Sequence, residues 1–134
     1  MELGLGDCVR YLLLLLHRNG VPFSFRKHYQ WHLAFYDLKE TPEIADKPRF
    51  LHDLFFDWDR LYPKCQALEE FLNALCTTGC VETTSPRYEE WNLPKNIAEL
   101  WSQHFEALDE PTKRFLNAAL AIAQARFQKT GQGR

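Results

Sequence analysis

Residues 64–91, KCQALEEFLNALCTTGCVETTSPRYEEW, carry the pattern that decides the fold. In the first half, apolar residues recur at the spacing of an amphipathic helix: Leu68, Phe71, Leu72 and Leu75. Gly79 is placed to end that helix. Residues 80–91 then change to strand-forming residues on either side of a Ser-Pro-Arg turn, which predicts a short β-hairpin. A helix that leads directly into a hairpin is the order of a winged-helix domain, with the hairpin as its wing.

Two helices and a loop are predicted before this stretch. The first helix spans about 7–18, with Asp7 as its N-cap and an Asn-Gly pair beyond its end. The second spans about 25–39, with Ser24 as its N-cap. The next segment, 40–48, holds two prolines and four charged residues, which predicts an exposed loop.

The remaining segments are an ambiguous stretch and two more helices. Residues 50–63 fit a short helix and a strand equally, so both alternatives stay open. After the hairpin, a helix is predicted at about 94–107. A last helix follows with Asp109 as its N-cap and carries apolar residues as far as Phe127.

The composition predicts one compact unit. The chain has 134 residues, 46% of them apolar, which suffices for one core, and no linker divides it. We therefore predict a single domain over 1–129 and a disordered tail at 130–134. The fold class is mainly α: a small helical, winged-helix-like domain with a short β-hairpin.

Charge and hydropathy set expectations about location. The formal charge of −2 gives no general attraction for nucleic acid. The apolar run at 11–16 is far shorter than the roughly 20 residues that span a bilayer. Acidic Glu2 and Asp7 precede it, where a signal peptide is basic. We therefore expect a cytoplasmic protein that enters no membrane, with its four cysteines mostly as reduced thiols in or near the core.

No catalytic residue, metal site or cofactor is predicted. His28 and His32 have a spacing at which two imidazoles can share a metal, but nothing in the pattern brings cysteines to them as further zinc ligands. The more ordinary interpretation is a partly buried, hydrogen-bonded His32 and a surface His28. An acidic group that resembles a divalent-metal site lacks a phosphate clamp, and its members suit a solvated edge: His52, Asp53, Asp57 and Asp59.

Basic residues around the first inter-helix turn are the candidate partner- or nucleic-acid-binding site: Arg18, Arg26, Lys27 and His28. The alternative is a solvated cationic face. Recognition of DNA is disfavoured because the predicted helix before the hairpin has Glu69 and Glu70 on its outer side, where their carboxylates would repel DNA phosphates. Three tryptophans are expected as core anchors, although an exposed one would mark an interface: Trp31, Trp58 and Trp91.

The chain resembles the Panacea domain of SocA-like antitoxins and related winged-helix-like proteins. The residues that carry the resemblance are the Arg-Lys-His-Tyr-Gln segment at 26–30, the Phe-Phe-Asp-Trp segment at 55–58, the Tyr-Pro step at 62–63, and the helix that ends at Gly79. Tyr62 stands where that family has a glycine before the proline. The resemblance implies a winged-helix-like fold and a protein-binding role without catalysis, such as neutralising a toxin or adapting one protein to another.

Together these patterns favour a non-catalytic binding module with a protein partner, either antitoxin-like or an adaptor. A DNA- or RNA-binding transcriptional regulator that uses the basic residues is the alternative. A metal-dependent enzyme comes third. The sequence sets neither the identity of the partner nor the oligomeric state.

Overall fold

The computed structural model describes residues 3–21, 23, 28–58, 61–78, 82–83 and 91–132. Within them, helices account for most of the chain: α1 Leu5–Arg18, α2 Tyr29–Glu40, α3 Arg49–Asp53, α4 Gln66–Thr78, α5 Lys95–Glu106 and α6 Glu110–Gln132. Two short strands, β1 Glu82–Thr83 and β2 Trp91–Asn92, pair antiparallel. The prediction of a mainly helical fold is confirmed. Residues 80–81 and 84–90 of the predicted hairpin lie outside the described residues, and the winged-helix topology stays a prediction.

Helix α1 begins two residues earlier than the sequence predicts. Its N-cap is Gly4, whose amide donates to Oδ2 of Asp7 at 3.2 Å. Asp7 therefore lies in the first turn and reaches back to the cap, so its assignment as the N-cap is wrong. At the other end the predicted stop is confirmed, since Gly20 takes the left-handed conformation with φ of 66°. The leucines at 12–16 are all buried, as a helix that is apolar nearly all round requires.

The long helix α6 is the element on which the others assemble. Both α1 and α2 pack against it, and α5 packs against α1. Trp31 of α2 meets Phe127 of α6 edge to face, with ring centroids 4.9 Å apart. Beside this contact, Nε of Arg126 donates to Oδ2 of Asp37 at 2.7 Å. The α2–α6 interface thus contains an aromatic pair in the edge-to-face arrangement that such rings favour, together with a half-buried ion pair.

Helix α2 starts at Tyr29, with His28 at its N-cap position. The predicted start near residue 25 and the predicted cap Ser24 fall among residues that are not described. After α2 the predicted loop is confirmed at 41–48, and the ammonium group of Lys47 folds back to donate to the Lys39 carbonyl at 2.8 Å.

Residues 49–64 combine both alternatives that the sequence left open. The five-residue helix α3 comes first, and the chain then becomes extended at Leu54. Asp57 and Lys64 exchange backbone hydrogen bonds of 2.8 and 3.0 Å, which closes the segment into a narrow loop. A short apolar run cannot be assigned by periodicity alone, because both structures fit it.

Helix α4 confirms the predicted stripe, since Leu68, Leu72 and Leu75 are buried. It meets the start of α1, where Phe71 lies so close to Gly6 that a Cβ atom there would approach its ring to 3.0 Å. Gly79, the predicted end of this helix, lies outside the part of the chain that the structure describes.

The C-terminal elements largely follow the sequence. Helix α5 matches its predicted bounds to within a residue, and the Thr112 amide donates to Oδ1 of Asp109 at 2.9 Å, which confirms the predicted N-cap of α6. Helix α6 continues to Gln132, inside the segment expected as a tail. Cys8 and Cys65 are buried free thiols, as expected, and burial raises the pKa of Cys8. Among the described helices, none has the length and apolarity needed to cross a bilayer.

Candidate functional site

The most connected group of polar side chains lies between the starts of α2 and α4. Oε1 of Glu69 lies 2.9 Å from Nε2 of His32, and Oε2 of the same carboxylate lies 3.0 Å from Nδ1 of His28. The Cys65 amide donates to Nδ1 of His32 at 3.0 Å. Tyr62 covers the group, with its ring centroid 5.6 Å from that of His32. One carboxylate therefore binds two imidazoles.

The hydrogen bond from Cys65 fixes the protonation state of His32. Because an amide N–H occupies the Nδ1 lone pair, the proton of the neutral ring is on Nε2 and is donated to Glu69. Burial lowers the pKa of His32, against the opposing effect of Glu69, so the ring is neutral at physiological pH. Burial acts to raise the pKa of Glu69, but the hydrogen bonds from His32 and His28 outweigh it and lower that pKa, so the carboxyl group is ionised.

This arrangement does not suit a metal ion. To coordinate a metal through Nε2, His32 would have to lose the only proton of its ring. A metal-bound histidine normally carries a proton on its other nitrogen and donates it to an acceptor. Here that other nitrogen, Nδ1, faces an N–H donor instead. Within the described ranges no group of three or more His, Cys, Asp or Glu side chains is arranged to hold a metal. The side chain of Cys76, and all of Cys80, lie outside those ranges. The histidine–glutamate group ties the start of α2 to the start of α4.

Two sequence interpretations are wrong at this group. His28 was expected at the surface, but its side chain is only 13% exposed because it turns toward Glu69. Glu69 was expected to face outward, but it is held by both imidazoles. Glu69 lies 37 positions after His32 and still further after His28, and helical periodicity does not report contacts between helices.

Of the four predicted binding residues, the structure describes Arg18 and His28, which contact different partners. Arg18, at the end of α1, lies 3.4 Å from a Glu106 carboxylate oxygen, and its guanidinium carbon is 5.4 Å from the centre of the Phe105 ring. His28 is engaged by Glu69. Arg26 and Lys27 lie outside the described residues. Arg18 is therefore the member of this set that the structure places near the surface, beside α5.

The acidic group does not converge either. His52 and Asp53 are exposed at the end of α3, whereas Asp57 is half-buried and its backbone pairs with Lys64. Asp59 lies outside the described residues. The exposure of His52 and Asp53 fits the solvated edge that the sequence predicts, whereas Asp57 is less exposed than such an edge requires.

The feature that sequence reasoning missed is an exposed apolar surface beside this acidic edge. We call it the aromatic loop and define it as residues 54–58 and 61–62. Its exposed apolar side chains are Phe55, 76% exposed, Trp58, 57% exposed, and Leu61, fully exposed. Trp31 is buried as predicted, but Trp58 is not a core anchor; the side chain of Trp91 is not described. Within 55–58 the outer two residues, Phe55 and Trp58, are exposed and Phe56 is half-buried, an arrangement that the aromatic-rich sequence of this stretch does not specify.

Contacts with α2 hold the aromatic loop in place. The Tyr36 ring of α2 lies edge to face against Phe56 at 5.5 Å and against Trp58 at 5.2 Å. The ammonium group of Lys39 donates to the Leu54 carbonyl and lies 5.9 Å from the centre of the Phe56 ring. The part of the loop at 54–58 is thus attached to α2 through Leu54, Phe56 and Trp58.

Comparisons of the chain with protein-family models, with curated proteins and with solved structures found no match.

Proposed function

We propose that this chain is a non-catalytic, winged-helix-like protein-binding module that contacts its partner through the aromatic loop. The observation that carries the proposal is the exposure of Phe55, Trp58 and Leu61 within seven positions of the sequence. Aromatic and apolar side chains exposed together mark interaction surfaces, and tryptophan is enriched among the residues that dominate binding energy.

Burial of these side chains in an interface would contribute favourably to binding. Phe55 and Leu61 are almost entirely in solvent, and burial of each such side chain contributes about 1.5–3 kcal/mol. Trp58 adds a large ring whose orientation is already fixed by Tyr36. Because Tyr36 already contacts the Trp58 ring, fixing this side chain on association should cost less conformational entropy than fixing a side chain without such a contact.

The resemblance to the Panacea domain supports the same role. Its aromatic segment at 55–58 is the one that supplies Phe55 and Trp58 to the loop. We therefore propose an antitoxin-like or adaptor function in which this segment meets the partner protein. The antiparallel pairing of β1 with β2 after α4 is in keeping with a wing.

Capture of a partner from the native cells tests the proposal. We expect one stoichiometric protein partner with wild-type chain, retained in high salt because the contact is apolar. The double variant Phe55→Ser/Leu61→Ser should lose it. Leu100→Ser is the matched control, because Leu100 is also a large exposed apolar residue, 45% exposed, but lies on α5 outside the loop. Equal capture by all three proteins would contradict the proposal.

A nucleic-acid-binding regulator is the second candidate, and one observation favours it. Glu69 is bound by His28 and His32, so one of the two carboxylates expected to repel phosphate is withdrawn. Charge reversal at the two basic residues that precede His28 in the sequence, Arg26→Glu and Lys27→Glu, should then abolish the nucleic-acid complex. The affinity of that complex for the wild-type chain should fall steeply with salt. An unchanged complex would exclude this patch as the nucleic-acid site.

A further inference from the structure

A groove of about 790 Å³ lies between the first half of α1, the end of α5 and the start of α6. Its volume falls within the range of small-molecule sites, roughly 300–1,000 Å³. Tyr11 and Trp101 contribute aromatic walls and Leu108 an aliphatic one, while Asp7, Arg10 and Asp109 place charges along it. The groove shares no residue with the aromatic loop.

Tyr11 is the first observation that points to a ligand. Its ring is packed edge to face against Phe105 at 5.9 Å, and the residue is 7% exposed. Tyr11 lines the groove, and its hydroxyl group makes no hydrogen bond to any residue that the structure describes. Because no buried polar side-chain atom of the described residues lacks a partner, this hydroxyl group is accessible from outside the core. A tyrosine buried to this extent normally finds a hydrogen-bond partner for its hydroxyl group, so this group is available to an occupant of the groove.

The groove carries charges of both signs: His104 also lines it, and the positive charge of Arg114 acts on Asp109. Arg10 and Asp7 neutralise each other through a contact of 2.7 Å, and Arg10 also lies over the Phe71 ring. Asp109 makes no ion pair within the described part of the chain. Hydrogen bonds from the side chain and backbone of Thr112 lower the pKa of Asp109, so its carboxyl group is ionised.

An anion is disfavoured for a related reason. The start of a helix attracts anions through its free amides, but here Asp109 already occupies that position and accepts from the Thr112 amide. Burial raises the pKa of Tyr11, with a smaller increase from Asp7 that Arg10 opposes, so its hydroxyl group keeps its proton and can donate a hydrogen bond. Aromatic faces beside a carboxylate are a general means of holding an organic cation.

We propose that this groove binds an organic cation, an ammonium or guanidinium group joined to an apolar body. The cation lies at the carboxylate of Asp109, the apolar body contacts Tyr11 and Trp101, and the Tyr11 hydroxyl group hydrogen-bonds the occupant. A free amine and the lysine or arginine side chain of a protein share this chemistry.

Titration of the full chain with phenethylammonium, followed by amide NMR shifts and calorimetry, tests the site. We expect saturable binding with shifts at Tyr11, Trp101 and Asp109, and binding at least about tenfold weaker for the neutral isostere 2-phenylethanol. Equal binding of the alcohol, or no saturation by the amine at about 10 mM, would overturn the proposal.

Two variants test whether residues of the groove contribute to amine binding without a change in the fold. Asp109→Asn keeps an N-cap residue and removes the charge, and should weaken amine binding about tenfold. Tyr11→Phe removes only the hydroxyl group and should weaken it several-fold. Asp53→Asn, which alters an exposed carboxylate outside the groove, is the matched control and should leave it unchanged. Unchanged binding in both groove variants, with normal thermal unfolding, would refute the assignment.

Two further measurements complete the test. Blocked dipeptides that contain phenylalanine with lysine or arginine distinguish the sources: tighter binding than phenethylammonium indicates a protein side chain, and weaker binding a free amine. The double variant Phe55→Ser/Leu61→Ser should bind phenethylammonium as wild type does. The groove proposal and the aromatic-loop proposal can therefore be contradicted independently of each other.

Discussion

Nε2 of His32, a residue with no exposed surface, lies 2.9 Å from Oε1 of Glu69, 37 residues further along the chain. This contact joins the first turn of α2 to the first turn of α4. It places a neutral imidazole and an ionised carboxylate in one hydrogen-bonded pair, with His28 on the other carboxylate oxygen. The pair makes the attachment of α4 sensitive to protons.

The first prediction concerns pH. The pKa of His32 is lower in the folded chain than its ordinary value of 6.5, so the unfolded state binds more protons below that value. Stability is therefore full above about pH 6.5 and falls as the pH decreases toward the folded pKa. Glu69, whose pKa is also lowered, adds a further loss below its ordinary value of 4.5. Urea unfolding between pH 7.5 and 4 measures this decline.

Two histidine variants make the pH prediction specific. His32→Gln should flatten the decline between about pH 6.5 and 5, because the titrating group is gone. His52→Gln, at an exposed position, should leave the decline as in wild type. Parallel pH curves for wild type and His32→Gln would show that another group is responsible.

The second prediction tests the α4 stripe. Leu72 is fully buried, so Leu72→Ala should lower the free energy of unfolding by about 2–5 kcal/mol through lost burial and the cavity left behind. Asn73→Ala changes the next, exposed position of the same helix and should alter it by less than about 0.5 kcal/mol. Denaturant unfolding compares the two, and a Leu72→Ala protein as stable as wild type would rule out the packing described.

The third prediction concerns the ion pair between α2 and α6. Asp37 and Arg126 are each about one-third exposed, and their contact of 2.7 Å is short. A double-mutant cycle with Asp37→Asn and Arg126→Gln should give a coupling energy of about 1 kcal/mol, reduced in high salt. Additive effects of the two substitutions would mean that the contact contributes nothing measurable.

The fourth prediction separates two functions of Asp109. Because its side chain caps α6, Asp109→Ala should lower the midpoint of thermal unfolding, whereas Asp109→Asn should keep it close to wild type. Circular dichroism melts give both midpoints. The same loss for alanine and asparagine would assign the stabilisation to the charge instead of the cap.

Sequence periodicity predicted those elements whose signals are local. The α4 stripe, the N-cap Asp109 and the loop at 41–48 each depend on residues within a few positions of one another. Asp7 shows the limit of such signals: it acts at the start of α1, but Gly4 takes the cap and Asp7 bonds back to it. A carboxylate near a helix start fits both positions, so the pattern alone does not choose between them.

The candidate surfaces depend on contacts that periodicity does not contain. His28 and Glu69 looked exposed because each occupies a polar position of its own helix, yet they face one another. Trp58 looked buried because of its size, yet Tyr36 supports it from one side while the other side faces solvent. In both cases the environment comes from a second element far along the chain.

The position of α6 has a consequence for the order in which the chain acquires structure during synthesis. The leucine-rich α1 precedes all of the helices it packs against, and one of them, α6, begins only at Glu110. At about 5–20 residues per second, the ribosome extends the chain for several seconds before that surface exists. During this interval the apolar residues of α1 have no native partner in α6, so the nascent chain is expected to be a client of ribosome-associated chaperones.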